Sequence, residues 1–493
     1  MPEPLYTSLP NEKSIPDRIS KNSFWVLIGQ GGSAFLSFIA VFLMTRYLGP
    51  EKYGFYSTAL SLALIMLPLS DLGFDLFMIR AISAERSLLP NELSHTLSIK
   101  CILAVIVLGL MILAGLLLGY DSFIIGYIAL LGVSLLISAL AQSLISAIRA
   151  IRKMRYESLS LLAGRACTTT AIFILVLLKA ELAVLILAYL MGSIVIFAAA
   201  YYFLNRQYGP PGLFFSLTGW FPRLKGAFPF GITAILSAVY FKIDIIILSK
   251  MQDAATVGLY NSAQNLIGGS VLLASPLVVA MFPAMAALYK TSKQEADEIF
   301  GRGLTFILLL GLPLGVGTAF MAGNVIKLIY GAKFLPATPL LTIMAVKIPI
   351  VYLTLLIGTS LGAVGFQKKV AIVSTVNLVF NVVMNLLFIP VYGARAAAVI
   401  TVGTELLGLI QYAFVTRGKL DMHKLSQFIK IIICCVAGAI GFAVVKWKLG
   451  PWPAAAAFAF IYILLALQFK LISISTVKDM LFSQPSSAEG SAV

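Results

Sequence analysis

The chain has 493 residues, 60% of them hydrophobic and only 11% charged, with a mean hydropathy of +0.98 and a net charge of +16. A soluble domain carries about a quarter charged residues, so this chain lacks the polar side chains to cover a water-facing surface. In lipid, apolar side chains face outward and the backbone satisfies itself in helices, which predicts an all-α polytopic membrane protein and sets aside a soluble nucleic-acid binder.

Taken in order, residues 1–23 are polar, with four prolines and no cleavable signal, and form a segment before the first span. Apolar runs then predict helices near 24–45, 55–80, 97–118, 124–147, 158–178, 183–204, 226–249, 258–288, 302–323, 338–361, 369–389, 395–416, 428–446 and 453–472, about 14 spans in all. Residues 473–493 are expected to form a cytoplasmic tail, which from Ser483 onward has the composition of a disordered end. Placing Lys and Arg in the termini and even-numbered loops gives about 24, against about 9 in odd-numbered loops. The positive-inside rule therefore puts both termini in the cytoplasm. The densest basic cluster, Arg149-Ala-Ile-Arg-Lys-Met-Arg155, falls on that side; it reads as a topology determinant touching anionic lipid, or as a capture point for a diphosphate.

An internal repeat organises the spans. Arg46-Tyr-Leu-Gly-Pro-Glu-Lys-Tyr-Gly54-Phe-Tyr-Ser-Thr-Ala59 aligns without a gap on Lys250-Met-Gln-Asp-Ala-Ala-Thr-Val-Gly258-Leu-Tyr-Asn-Ser-Ala263. An even number of spans separates the copies, so both insert in the same orientation, a parallel repeat of the kind on which many transporters build alternating access. The expected architecture is two pseudo-symmetric six-helix lobes, 24–204 and 226–417, joined by a cytoplasmic loop at 205–225, with two appended helices at 418–472. Pro68, Pro276, Pro313 and Pro349 mark places where spans can bend, or merely shape packing.

Charges inside spans are costly, about 2.5–3.5 kcal/mol on insertion scales, so each needs a reason. Lys242, Lys347 and Arg165 are the cations expected to line a cavity and receive phosphate oxygens. Asp244 and Glu405 are the carboxylates expected to couple movement to an ion, although Lys347 and Glu405 can equally form an internal pair. Asp71, Asp75 and Arg80 suggest a gate or a snorkelling cluster. Asn377, Asn381 and Asn385, four residues apart on one stripe, can meet sugar hydroxyls or join neighbouring helices. The cysteines and the two histidines, His95 and His423, have no ligand spacing, and neither a metal nor a cofactor is expected.

The Arg46–Ala59 turn, the run Asp244-Ile-Ile-Ile-Leu-Ser-Lys250 with Val257, Gly258, Tyr260 and Ala263, and Asn385-Leu-Leu-Phe-Ile-Pro390-Val-Tyr-Gly393-Ala-Arg-Ala-Ala-Ala398 resemble the polysaccharide transporter family. These are O-antigen-type flippases of the superfamily that also holds multidrug extruders and lipid II flippases. Ala396 stands where the family often has a second glycine, and Arg395 beside it adds an unusual charge. The resemblance implies a polyprenyl-(pyro)phosphate-linked oligosaccharide moved from the inner to the outer leaflet of the cytoplasmic membrane. It also implies membrane lipids, a glycan polymerase and glycosyltransferases as neighbours. Lipid II or a multidrug cargo remain alternatives. A polyprenyl-dependent glycosyltransferase or ligase is disfavoured, because the outer loops are short and their acids, Glu51, Asp121, Glu181 and Asp253, are scattered.

Overall fold

The computed structural model describes residues 15–212, 214, 217–420 and 425–471. Residues 1–14, His423 and the tail expected at 473–493 lie outside the described residues, and helix already begins at Ile15, inside the segment expected to precede the first span. The described chain is all helix: α1 (Ile15–Met66), α2 (Phe74–Ala84), α3 (Leu89–Leu117), α4 (Ser122–Ala150), α5 (Met154–Leu177), α6 (Leu182–Tyr208), α7 (Leu217–Met251), α8 (Ala254–Thr291), α9 (Lys293–Tyr330), α10 (Thr338–Ala345), α11 (Lys347–Ala363), α12 (Gln367–Thr416), α13 (Leu425–Leu449) and α14 (Pro451–Gln468). Two compact units are formed, Met1–Lys242 and Ile243–Val493, and the division falls inside α7.

Among the described residues, ten helices are long and apolar enough to cross a membrane, or eleven if α10 and α11, bent by 44° with three-ten turns before them, count as one span. The expected fourteen is not reached on that count, and two helices show why. α1 has 52 residues and α12 has 50. A straight helix of about 50 residues would run about 75 Å, over twice the apolar core. Each instead holds one non-helical glycine, Gly49 (φ 73°) and Gly393 (φ 59°), where two arms meet. A positive φ is open to glycine and strained for other residues, so a single residue does the work of a loop.

In the first unit, the run read as one span at 55–80 is broken. Pro68 opens a three-ten turn at Leu67–Ser70, and Leu72 (φ 45°) and Gly73 (φ 89°) carry the chain into α2. Beneath it, Met78, Ile82, Leu93, Leu144 and Ile148 share one core cluster. Gly164 of α5 and Gly192 of α6 let those helices touch, since a Cβ on either would lie 2.7–2.8 Å from the other's carbonyl oxygen. In the second unit, Pro276 and Pro313 lie inside the continuous helices α8 and α9, whereas Pro349 sits in the first turn of α11 beside the bend.

Candidate functional site

The intramembrane charges of the second unit are mostly engaged. Lys347 opens α11 at the bend, where a helix start leaves it reaching across to the second arm of α12. There its Nζ stands 3.5 Å from Glu405, with both side chains about nine-tenths buried. Thr354 also donates to Glu405 at 3.5 Å. Asp244, near the end of α7, is 2% exposed. Its carboxylate accepts from the Tyr260 hydroxyl and, at 3.3 Å, from Gln264 Nε2, both on α8. Tyr260 in turn lies 3.1 Å from Thr401 on α12. Lys242 is half-buried one helical step before, in the part of α7 that belongs to the first unit.

The asparagine stripe runs along the first arm of α12 and is buried throughout. Asn377 accepts from Gln411 at 3.0 Å, Asn381 donates to Thr404 at 3.2 Å, and Asn385 donates to Asn381 at 2.9 Å. The first two pairs are placed nearly symmetrically about Gly393, as the register of a helical hairpin requires.

In the first unit the structure joins Asp71 and Asp75 through a lysine that the sequence did not single out. Lys100, on α3 and 1% exposed, lies 2.9 Å from Asp71 and 3.1 Å from Asp75. Ser143 of α4 donates to Asp75 at 2.6 Å. Asp71 also accepts from the backbone of Gly73 and of Asp75, so it caps the start of α2. Two carboxylates on opposite sides of a helix break thus share one buried ammonium. Arg80 is exposed. Arg165 is half-buried on α5, and no ion pair among the described residues includes it.

Two other pairs were missed. Arg149, from the dense basic cluster, is held by the buried Glu157, and Arg223 meets Glu92 in a two-pronged pair with Nε 3.0 Å from the carboxylate. Both acids sit in the first turn of their helices, where a carboxylate is favoured by the macrodipole.

A further feature had no linear signal. Between α9 on one side and α13 with α14 on the other lies a groove of about 950 Å³. Leu309, Pro313, Gly317, Phe442, Phe458 and Ile463 make its depth apolar. One end is polar, with Glu298 and Arg302 paired at 2.7 Å, Thr305 and Gln427 hydrogen-bonded, and Lys470 beside them. Such a groove fits a molecule with a long apolar portion and a charged or polar head.

The family described as "Polysaccharide biosynthesis protein" matches residues 19–289. A probable low-salt glycan biosynthesis flippase, Agl15 of Haloferax volcanii, is 22% identical over 424 residues, covering 84% of each chain. The lipopolysaccharide biosynthesis protein WzxC of Escherichia coli is 26% identical and covers 52% of this chain and 50% of its own. A putative O-antigen transporter of Shigella flexneri is 21% identical, covering 77% and 93%. Among solved structures, the lipid II flippase MurJ in an inward closed conformation superposes with a TM-score of 0.72 at 17% identity, covering 93% of this chain and 99% of its own. An inward-facing multidrug transporter of the MATE family gives 0.65 at 15% identity, covering 79% and 97%. At those identities the structural likeness establishes the fold.

Proposed function

The chain belongs to the polysaccharide biosynthesis protein family, and from that membership we propose that it is a flippase. Its cargo is a polyprenyl-(pyro)phosphate-linked oligosaccharide, moved from the inner to the outer leaflet of the cytoplasmic membrane for export of a cell-surface polysaccharide. The glycan-flippase and O-antigen-transporter names of its relatives point the same way. Both termini are assigned to the cytoplasm on the charge of the loops, with pathway glycosyltransferases and a glycan polymerase as neighbours.

The observation that carries this reading is the groove with an apolar depth and a charged end. A polyprenyl tail gains little free energy by leaving lipid for an apolar groove, because acyl chains are as apolar as leucine. The groove therefore serves to register the tail, while affinity comes from the head. Its polar end, at Arg302, Gln427 and Lys470, falls on the side assigned to the cytoplasm, where the loaded lipid would arrive.

For the head, Arg165, Lys242 and Lys347 are the proposed phosphate contacts. Arg165 has the least to give up, because Lys347 must first leave Glu405. Asp244 and Glu405 are the proposed ion-coupling groups. Asp71 and Asp75, now with Lys100, are the proposed gate, and the asparagine stripe is assigned to holding the arms of α12 together.

Cells lacking the protein should accumulate the lipid-linked oligosaccharide on the inner leaflet, with relief on re-expression. Gly317→Trp projects a large side chain into the groove, where a Cβ meets only Phe458 at 3.9 Å. It should fail to relieve accumulation while reaching normal levels in the membrane. Unchanged sidedness with altered glycan structure would overturn the reading in favour of an enzyme.

A further inference from the structure

The two ends of α12 return to the same membrane surface because Gly393 folds the helix back on itself. At that surface Lys369, in the first turn of α12, and Lys419, just beyond its end, approach the same aromatic ring. Their Nζ atoms lie 5.7 Å and 4.4 Å from the centroid of Phe366. Lys419 is further fixed by donating to the Val415 carbonyl at 2.7 Å, and Lys293 from the start of α9 donates to the next turn at Gly418, 3.2 Å away. None of these three lysines takes part in an ion pair among the described residues.

Exposed lysines normally spread apart, because like charges repel and a flexible stem gives each ammonium room to move. Here the opposite holds. Lys419 is held below the usual lysine range chiefly by the neighbouring Lys369 side chain, with loss of solvent and the like charge of that ammonium adding to it. Arg417, the other cation on this turn, is turned away over the Phe414 ring at 4.5 Å. The aromatic face offers each ammonium some attraction, but it does not neutralise two of them. An anion between the two ammoniums would, and at a bilayer surface the abundant anion is the phosphoryl group.

We propose that Lys369 and Lys419, seated on Phe366 and backed by Lys293, form a clamp for a phosphoryl group at the membrane surface. The clamp is independent of which cargo the protein moves and of the groove between α9 and α14. A phosphoryl oxygen accepts from each ammonium, and Phe366 sets their spacing. The neighbouring Lys368 is exposed and has no part in it, so it reports any attraction of lipid to positive charge in general.

The test is residue-resolved labelling of amines by an acylating reagent at neutral pH, on the full-length protein in vesicles. Three conditions are compared: phosphatidylcholine alone, phosphatidylcholine with phosphatidic acid, and phosphatidylcholine with inorganic pyrophosphate in solution. Only a neutral amine reacts, and each unit by which a bound anion raises the Lys419 pKa slows its labelling about tenfold. Slowing at Lys419 with Lys368 unchanged is the expected result. Slowing with phosphatidic acid alone assigns the clamp to a lipid headgroup, and slowing with pyrophosphate as well assigns it to free phosphoryl groups too. No slowing in either condition, or equal slowing at Lys368, overturns the proposal. Lys369→Glu places a carboxylate against Lys419, so the fold should melt as the parent does while the response to both probes disappears. A retained response in that variant also overturns it.

Discussion

Lys100 and Asp75, 25 residues apart in sequence, meet at 3.1 Å inside the first unit, and the same ammonium holds Asp71 at 2.9 Å on the other side of a helix break. The interrupted helix is thereby fastened to α3, and through Ser143 to α4. One lysine bridges both sides of a bend whose backbone includes a leucine in the left-handed region.

Removing that lysine leaves the buried Asp75 and the partly exposed Asp71 without a countercharge. Breaking a buried pair from one side costs about 3–5 kcal/mol. Lys100→Met should therefore lower the melting temperature of the purified protein sharply. Adding Asp71→Asn and Asp75→Asn should recover most of the loss. A single variant that melts like the parent would show that the cluster carries no structural weight.

Lys347 and Glu405 call for a double-mutant cycle. Each single change, Lys347→Met or Glu405→Gln, should destabilise, and the pair together should cost less than their sum by about 0.5–3 kcal/mol. The double variant should fold yet flip poorly, since both the proposed phosphate contact and the proposed coupling carboxylate are gone. Restored flipping would reduce the pair to scaffolding.

Gly164 and Gly192 bring α5 and α6 into backbone contact. A methyl group on Gly164 would lie 2.7 Å from the Gly192 oxygen and closer still to Ile196. Overpacking of this kind costs about 1–3 kcal/mol. Gly164→Ala should lower the melting temperature, and Gly164→Leu should fail to accumulate in the membrane. Gly31→Ala, where nothing lies within 4 Å, serves as the control.

Asp253 caps α8, accepting from the Thr256 backbone at 2.8 Å. That bond is the main reason its carboxyl is held below the usual range. A depressed carboxyl stabilises the fold above the unfolded pKa of about 3.9. The contribution is lost as pH falls through the lower folded value. Asp253→Ala should cost about 1 kcal/mol at neutral pH. Thermal melts should show the difference between parent and variant closing in acid; a gap independent of pH would show that the charge plays no part.

The all-helical fold was legible because apolar runs of span length need no tertiary information. The repeat likewise marked the turn at Gly49. The break at Leu67–Gly73 was not legible, since Pro68 sits in an apolar run that reads as continuous and the positive φ at Leu72 has no signature of its own. Lys100 was hidden because it lies near the start of an apolar run, where a basic residue passes for an end-of-span charge. Its partners come from 25 and 29 residues earlier, and Ser143, which donates to one of them, lies 43 later, all joined only by packing. The groove is likewise a product of α9 meeting α13 and α14, and no stretch of sequence contains it.

The hairpin of α12 also bears on how the protein is made. Asn377 accepts from Gln411 and Asn381 donates to Thr404, both across to the second arm. A ribosome that has delivered the first arm alone presents lipid with amides that lack these partners, and Gly393 leaves no aqueous loop in which to pause. The two arms should therefore leave the insertion channel together. Chains arrested before Thr401 should crosslink to the channel, and those arrested well beyond Thr416 should crosslink to lipid.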